Sequence, residues 1–187
     1  NMDAAVYGAR ACCIGGAVGT ATVLAGKMFD IPISGTMAHS WVMFYNDEFE
    51  AFKKYAENYP DGTVLLVDTY DVLESGIPNA IRVAKEVLEP MGKRLLGIRL
   101  DSGDLAYLSK KARKMLDDAG LTDCKIVVSN SLDEFTINSL LEQGACIDSF
   151  GVGERMITSK SEPVFGAVYK MAAVEENGKF VPRIKVS

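Results

Sequence analysis

Short β-rich runs recur along the chain: "IPISGT" at 31–36, "VLLVDT" at 64–69, "LLGIRL" at 95–100, "KIVVSN" at 125–130 and "CIDSFGVG" at 146–153. Their cores are continuous rather than alternating, the pattern of parallel strands covered on both faces. The runs open at 31, 64, 95, 125 and 146, which leaves room between them for the crossover helix that a parallel connection requires. A βα series of about five parallel strands is therefore expected. It fits an open doubly wound sheet or part of an eight-stranded barrel, and the length of 187 residues excludes neither.

The intervening segments carry helix punctuation. Asp47-x-x-Glu50, Asp71-x-x-Glu74 and Ser131-x-x-Glu134 read as capping boxes. In the helix after the third run, Leu105, Leu108, Ala112, Met115 and Leu116 share one face, and the basic stretch "KKARK" at 110–114 reads as its solvated side. Gly120 then stops the helix. Ahead of the series, "ACCIGGAVGTATVLAG" at 11–26 is uncharged, but its sixteen residues fall short of the ~20 that span a bilayer. Two small-residue helices, broken at Gly15-Gly16 and restarting at Thr20, are expected instead. After Gly153 the pattern becomes two strands joined at Asn177-Gly178, an antiparallel hairpin. The expected organisation is one partial domain: small-residue helices over 1–30, βα units over 31–160 and the hairpin over 161–187.

Charge and cysteine content narrow the function classes. A formal net charge of −5 leaves no broad basic surface for phosphate backbones, which disfavours nucleic acid as a partner. No basic leader with a cleavage pattern precedes the helices, and no membrane association is expected. Four cysteines, at 12, 13, 124 and 146, include no CxxC, and one histidine cannot complete a Cys2His2 set. Reduced thiols in a cytoplasmic protein are the plain reading.

Parallel α/β folds place chemistry at the carboxyl ends of their strands, and this chain concentrates its unusual residues there: 36–40, "DTYD" at 68–71, "RLDSGD" at 99–104, "SNSLDE" at 129–134 and "FGVGE" at 150–154. Capping explains Asp71 or Ser131 singly, and a turn explains Gly151 or Gly153. Neither requires Arg99 before Asp101, or the chain's only histidine, His39, before Ser40. Arg99 offers a planar fork of donors for a carboxylate or phosphate, and a glycine-flanked backbone brings N–H groups close to anionic oxygens. Asp68, Asp101 and Asp104 suit sugar hydroxyls or a hard divalent cation such as Mg2+. Together these groups suit a phosphorylated sugar. A neutral imidazole is nucleophilic, and a carboxylate fixes its tautomer; Asp68, at the next strand exit, is the expected partner of His39.

Through "YGARACCIGGAVGTATVLAGKMFDIPISGTMAHSWV", "LLVDTYDVLESGIPNA", "GIRLDSGDL", "SNSLDE", "DSFGVGERMITS" and "SEPVFGAVYK", the chain resembles the nicotinate phosphoribosyltransferase family, in order and over nearly its whole length. The resemblance implies the irregular β/α barrel of the type II phosphoribosyltransferases, here only in part. It implies transfer of phosphoribose from phosphoribosyl pyrophosphate (PRPP) to nicotinate, giving nicotinate mononucleotide and pyrophosphate in NAD biosynthesis, with coupled ATP hydrolysis and Mg2+ accompanying the polyphosphates. It also implies roles: phosphohistidine at His39, its orientation by Asp68, Arg99 near the pyridine ring or its carboxylate, Asp101 on ribose hydroxyls, Ser129 in the substrate site, and Gly151 and Gly153 along the product phosphate. Family sequence before and after this stretch is absent from it, so self-association or another chain completing the fold is expected. Two other readings stand beside this one: a noncatalytic phosphate-ligand module and an inactive structural fragment. Within the enzyme class, quinolinate-using transferases need no phosphohistidine, whereas "GTMAHS" is intact; nicotinamide is the remaining alternative to nicotinate.

Overall fold

The computed structural model describes residues 2–158 and 169–185, which gather into two compact units. One comprises residues 2–35, 131–133 and 152–158; the other comprises 36–130, 134–151 and 169–185.

The larger unit is built on a sheet of four parallel strands, β1 (Val64–Leu66), β2 (Gly97–Leu100), β3 (Lys125–Val128) and β4 (Ser149–Phe150), in spatial order β1-β2-β3-β4. Sequence neighbours are spatial neighbours throughout. The register pairs Leu66 with Arg99, Leu100 with Val128, and Val128 with Phe150, so the strands end nearly level and their exits lie side by side. Leu65, Leu66, Ile98, Leu100, Ile126 and Val128 are all fully buried, as continuous apolar runs in a covered sheet require. Each such side chain removed from water contributes about 1.5–3 kcal/mol.

Helices α3 (His39–Phe44), α4 (Glu48–Asn58), α5 (Ile77–Val83), α6 (Leu105–Asp118) and α7 (Glu134–Glu142) belong to the same unit. Asp47 caps α4 by accepting from the Glu50 amide at 2.9 Å, and Asp71 accepts from the Leu73 and Glu74 amides at 2.9 and 2.7 Å. Two of the three expected caps are thus formed. The third is not: Ser131 has a left-handed backbone, with φ of 50°, and α7 begins only at Glu134. Helical backbone runs unbroken from Val72 to Met91, but π-helical turns at Val72–Gly76 and Ala84–Leu88 flank α5. Pro78, in the first turn of α5, has no N–H to give the preceding turn, which widens accordingly.

α6 buries Leu105, Ala106, Ser109, Ala112 and Leu116, close to the expected face, and Gly120 follows it at a φ of 83°. The basic stretch is not uniformly solvated. Arg113 donates to the carbonyls of Cys124 and Leu121 at 2.6 and 2.9 Å and pairs with Asp117, fastening the helix end to the entry of β3. Glu48 is another internal tie: one carboxylate oxygen accepts from Ser75 and from Asn79, at 3.0 Å for the latter, joining α4 to the helical segment beside it.

Strands β5 (Ala173–Glu176) and β6 (Lys179–Pro182) form the antiparallel hairpin. Asn177 and Gly178 both take positive φ, 52° and 76°, as a two-residue type I′ turn demands. The part of the expected hairpin at 161–168 lies outside the described residues.

The smaller unit contains α1 (Met2–Ile14), α2 (Val23–Phe29) and the short α8 (Glu154–Ile157). Val6, Ala9, Ala25 and Ile31 form its core. The two helices break near Gly15-Gly16 as expected, with Thr22 rather than Thr20 at the second N-cap. The expected first strand at 31–36 is corrected to a single bridge, in which Ile33 lies parallel to Thr20. Pro32 has no donor for a ladder; its carbonyl accepts from the Thr20 amide at 2.9 Å while the Ser34 amide returns a bond to Thr20 at 3.0 Å. Among the described residues no helix is long and apolar enough to cross a membrane.

One contact fixes how closely the helical segment approaches β1. Gly76 is buried, and a Cβ there would overlap the Val67 carbonyl oxygen. Overpacking of this kind costs about 1–3 kcal/mol, more when backbone must move. Gly76→Ala is expected to lower the denaturant midpoint correspondingly, while Gly62→Ala, with no atom near its added carbon, stays within about 0.5 kcal/mol of the parent. Equal midpoints for the two variants would contradict this packing.

Candidate functional site

Polar side chains converge where the parallel strands of the larger unit end. Asp68 lies two residues beyond β1, Arg99 is the penultimate residue of β2 with Asp101 and Ser102 just after that strand, Ser129 comes immediately after β3, and Gly151 immediately after β4. His39 opens α3, a six-residue helix held down by the buried Val42 and Met43. The Trp41 indole donates to the Ala51 carbonyl at 2.9 Å and stacks among Tyr45 and Tyr55. That anchorage fixes where the imidazole points.

The His39 Nε2 stands 3.0 Å from Asp68 Oδ1, and the second carboxylate oxygen accepts from the Ser102 hydroxyl. The Asp68 side chain is wholly buried and that of His39 is 18% exposed. Burial alone would raise the Asp68 carboxyl; hydrogen bonds from His39 and Ser102, with electrostatic attraction to His39 and Lys185, outweigh it and hold the group below its ordinary value. An ionised carboxylate only accepts, so Nε2 carries the proton. In the neutral imidazole the lone pair is then on Nδ1, the nitrogen with no hydrogen-bond partner among the described residues.

Two further links complete the network. The Arg99 guanidinium donates through Nη1 to the Thr36 hydroxyl, three residues before His39, while its Nε is buried with no partner among the described residues. A buried donor left unpaired costs about 1–3 kcal/mol, so an acceptor brought beside it gains that much more than at a solvated arginine. Beyond Ser102, the Asp101 carboxylate accepts from the Ser129 hydroxyl. Gly151 closes the row: its amide donates to the Val128 carbonyl at 2.7 Å, and an added Cβ would sit 3.3 Å from Ser129 Cβ. Close approach, rather than an unusual φ, explains this glycine.

His39, Asp68, Arg99, Asp101, Ser129 and Gly151 therefore share one rim. Gly153 is the predicted site residue outside this set; it lies in the smaller unit as the N-cap residue of α8. Asp104 caps α6, accepting from the Tyr107 amide at 2.9 Å. Three further participants carry no clear signal in the sequence. Thr36 and Ser102 lay inside the polar clusters but looked like ordinary loop residues. Lys185, whose Nζ is 3.9 Å from Asp68 Oδ2 and 3.4 Å from Ser102 Oγ, comes from beyond the hairpin, and nothing in the linear pattern pointed to it.

Residues 13–185 match the sequence profile of the nicotinate phosphoribosyltransferase (NAPRTase) family. The chain is 61% identical to a nicotinate phosphoribosyltransferase of Bacillus subtilis (strain 168), over 100% of its own length and 38% of that protein. It is 40% identical to one of Dictyostelium discoideum, over 99% of this chain and 38% of that one. A crystal structure of human nicotinic acid phosphoribosyltransferase superposes with a TM-score of 0.71 at 28% identity, covering 79% of this chain and 39% of the human chain. The chain thus spans about two fifths of the length of these relatives.

The Asp68 carboxyl releases its proton more readily in the folded state than in the unfolded one, so it stabilises the fold above the ordinary carboxylate range and loses that contribution as pH falls through its lowered pKa. Asp68→Asn removes the group, and the fall of Tm on acidification is expected to be shallower than in the parent. An unchanged acid slope would show that Asp68 is not held ionised.

Proposed function

The chain belongs to the nicotinate phosphoribosyltransferase family, and on that premise we propose that it carries the phosphoryl-accepting and ribose-binding groups of an enzyme that makes nicotinate mononucleotide. In the transfer step the pyridine nitrogen of nicotinate forms a bond to the anomeric carbon of PRPP as the bond to pyrophosphate breaks. In the coupled step the lone pair of a His39 ring nitrogen takes the γ-phosphoryl group of ATP, releasing ADP, and water later returns the imidazole with release of phosphate. The observation that carries this reading is the His39–Asp68 hydrogen bond of 3.0 Å at a strand exit shared with Arg99.

Each side chain has a task its surroundings suit. Asp68 offsets the positive charge that grows on the ring as the N–P bond forms. Arg99 presents its guanidinium, with the unpaired Nε, to the nicotinate carboxylate or to a phosphate. Asp101, steadied by Ser129, accepts from ribose hydroxyls, and the exposed backbone around Gly151 lets a product phosphate approach closely; Gly153 is assigned the same role. No protein nucleophile attacks the sugar, so the transfer rests on alignment and on stabilising the departing charge. Phosphorylation of His39 changes the local charge and so biases substrate affinity, which couples ATP to turnover.

Mg2+ fits this site as a companion of the polyphosphates. Among the described residues no group of three or more His, Cys, Asp or Glu gathers into a cage, whereas one carboxylate such as Asp101 suffices for an ion whose other ligands are phosphate and water. Self-association, or a second chain that completes the pocket, belongs to the same reading and is supported by Ile14 and Val18, which stand exposed in the smaller unit. So does a cytoplasmic location, where ATP and PRPP are available.

The protein incubated with γ-labelled ATP is expected to gain acid-labile, alkali-stable phosphate on His39. His39→Ala loses the label and the dependence of product formation on ATP. Asp68→Asn slows labelling by about 100-fold or more, and Arg99→Lys raises the KM for nicotinate about tenfold, because an ammonium cannot replace the bidentate fork. Binding of PRPP or nicotinate mononucleotide without label or turnover would assign the site to a noncatalytic ligand module.

A further inference from the structure

Asp68 has a third partner that the catalytic reading does not use. Arg183 and Lys185 follow β6 directly. Arg183 clamps this segment: its amide donates to the Ala172 carbonyl at 2.9 Å, extending the hairpin, and its guanidinium donates to Asn46 at 2.7 Å and to Glu176. Two residues further on, the Lys185 side chain is 16% exposed, with its ammonium 3.9 Å from Asp68 Oδ2 and 3.4 Å from the Ser102 hydroxyl. The hairpin is thus a strap whose far end delivers a cation to the carboxylate oxygen that His39 does not occupy.

We propose that Lys185 is a positioning residue for the His39–Asp68 pair: with Ser102 it holds one oxygen of Asp68, so that the other stays ionised and directed at His39 Nε2. The division of labour follows from the geometry. A buried carboxylate bonded on one side only is free to rotate or to take up a proton, and either event releases the imidazole. Ser102 fixes the direction of the outer oxygen but supplies no charge. Lys185 supplies the charge, and because it arrives on the hairpin, the ionisation of a group at the sheet depends on a distant piece of chain. Among the described residues, the groups that hold Asp68 include His39 from α3 and Lys185 from the hairpin, with the Ser102 hydroxyl from the exit of β2.

The functional part of the test rests on His39 as the phosphoryl acceptor; a second part does not. In the full-length enzyme, phosphohistidine formation is followed against pH for the parent, Lys185→Met and Lys185→Arg. Without the lysine charge Asp68 protonates more easily, so in Lys185→Met the acidic limb of the profile moves to higher pH and labelling below that limb falls at least tenfold; Lys185→Arg restores the profile. In the resting protein without ATP, the 15N-labelled imidazole of His39, assigned by comparison with His39→Asn, reports its tautomer. The Nε2-protonated form dominates in the parent and in Lys185→Arg, and a mixture replaces it in Lys185→Met. If Lys185→Met fails to fold by circular dichroism, Lys185→Gln takes its place. A parent that is never labelled, together with a tautomer change in Lys185→Met, overturns the phosphohistidine reading and leaves the positioning role standing. A neutral variant with the parent's tautomer overturns the proposal, as does one with the parent's pH profile.

Discussion

A single buried negative charge organises this molecule's chemistry. An ionised carboxylate withdrawn from water is costly unless both oxygens find donors or cations, and Asp68, with no exposed surface, finds an imidazole N–H on one side and a hydroxyl with a nearby ammonium on the other. Burial by itself pushes its pKa up; with those partners it stays below its usual range. The tautomer of His39, and with it the nitrogen whose lone pair can react, follows from that ionisation.

The sheet makes the arrangement possible. Because all four strands are parallel and neighbours in sequence are neighbours in space, each βα loop drops its polar residues beside those of the next: Asp68 against Ser102, then Asp101 against Ser129, then Ser129 against Gly151. The close seat of Gly76 on Val67 sets the helical segment tightly against the chain as it leaves β1 for Asp68. Packing and chemistry meet in one residue interval, so a bulky change at Gly76 acts on both.

Much of this was legible in the chain. Continuous apolar runs, capping aspartates at 47 and 71, the stop at Gly120 and the Asn177-Gly178 turn each have a local cause, and local causes are written in local sequence. The clustering of polar residues at strand exits was equally readable, since parallel sheets allow few other places for them. What escaped was set by contacts remote in sequence. The run at 31–36 looks like a strand until Thr20 takes its hydrogen bonds. Ser131 looks like a cap until its left-handed backbone turns it out of position. Arg113 looks solvated until the carbonyls of Leu121 and Cys124 claim it. Lys185 is 117 residues from Asp68 in the chain, and only the folded hairpin brings them together.

The position of phosphate on the His39 ring reports which nitrogen Asp68 leaves free to react. Alkaline digestion of the labelled enzyme followed by separation of the two phosphohistidine isomers, with 31P NMR of the intact protein, distinguishes Nδ1 from Nε2. If a buried, ionised Asp68 holds Nε2–H, the phosphoryl group is found on Nδ1. Phosphate on Nε2 in an enzyme with Asp68 intact would mean that the hydrogen bond is not what prepares the histidine.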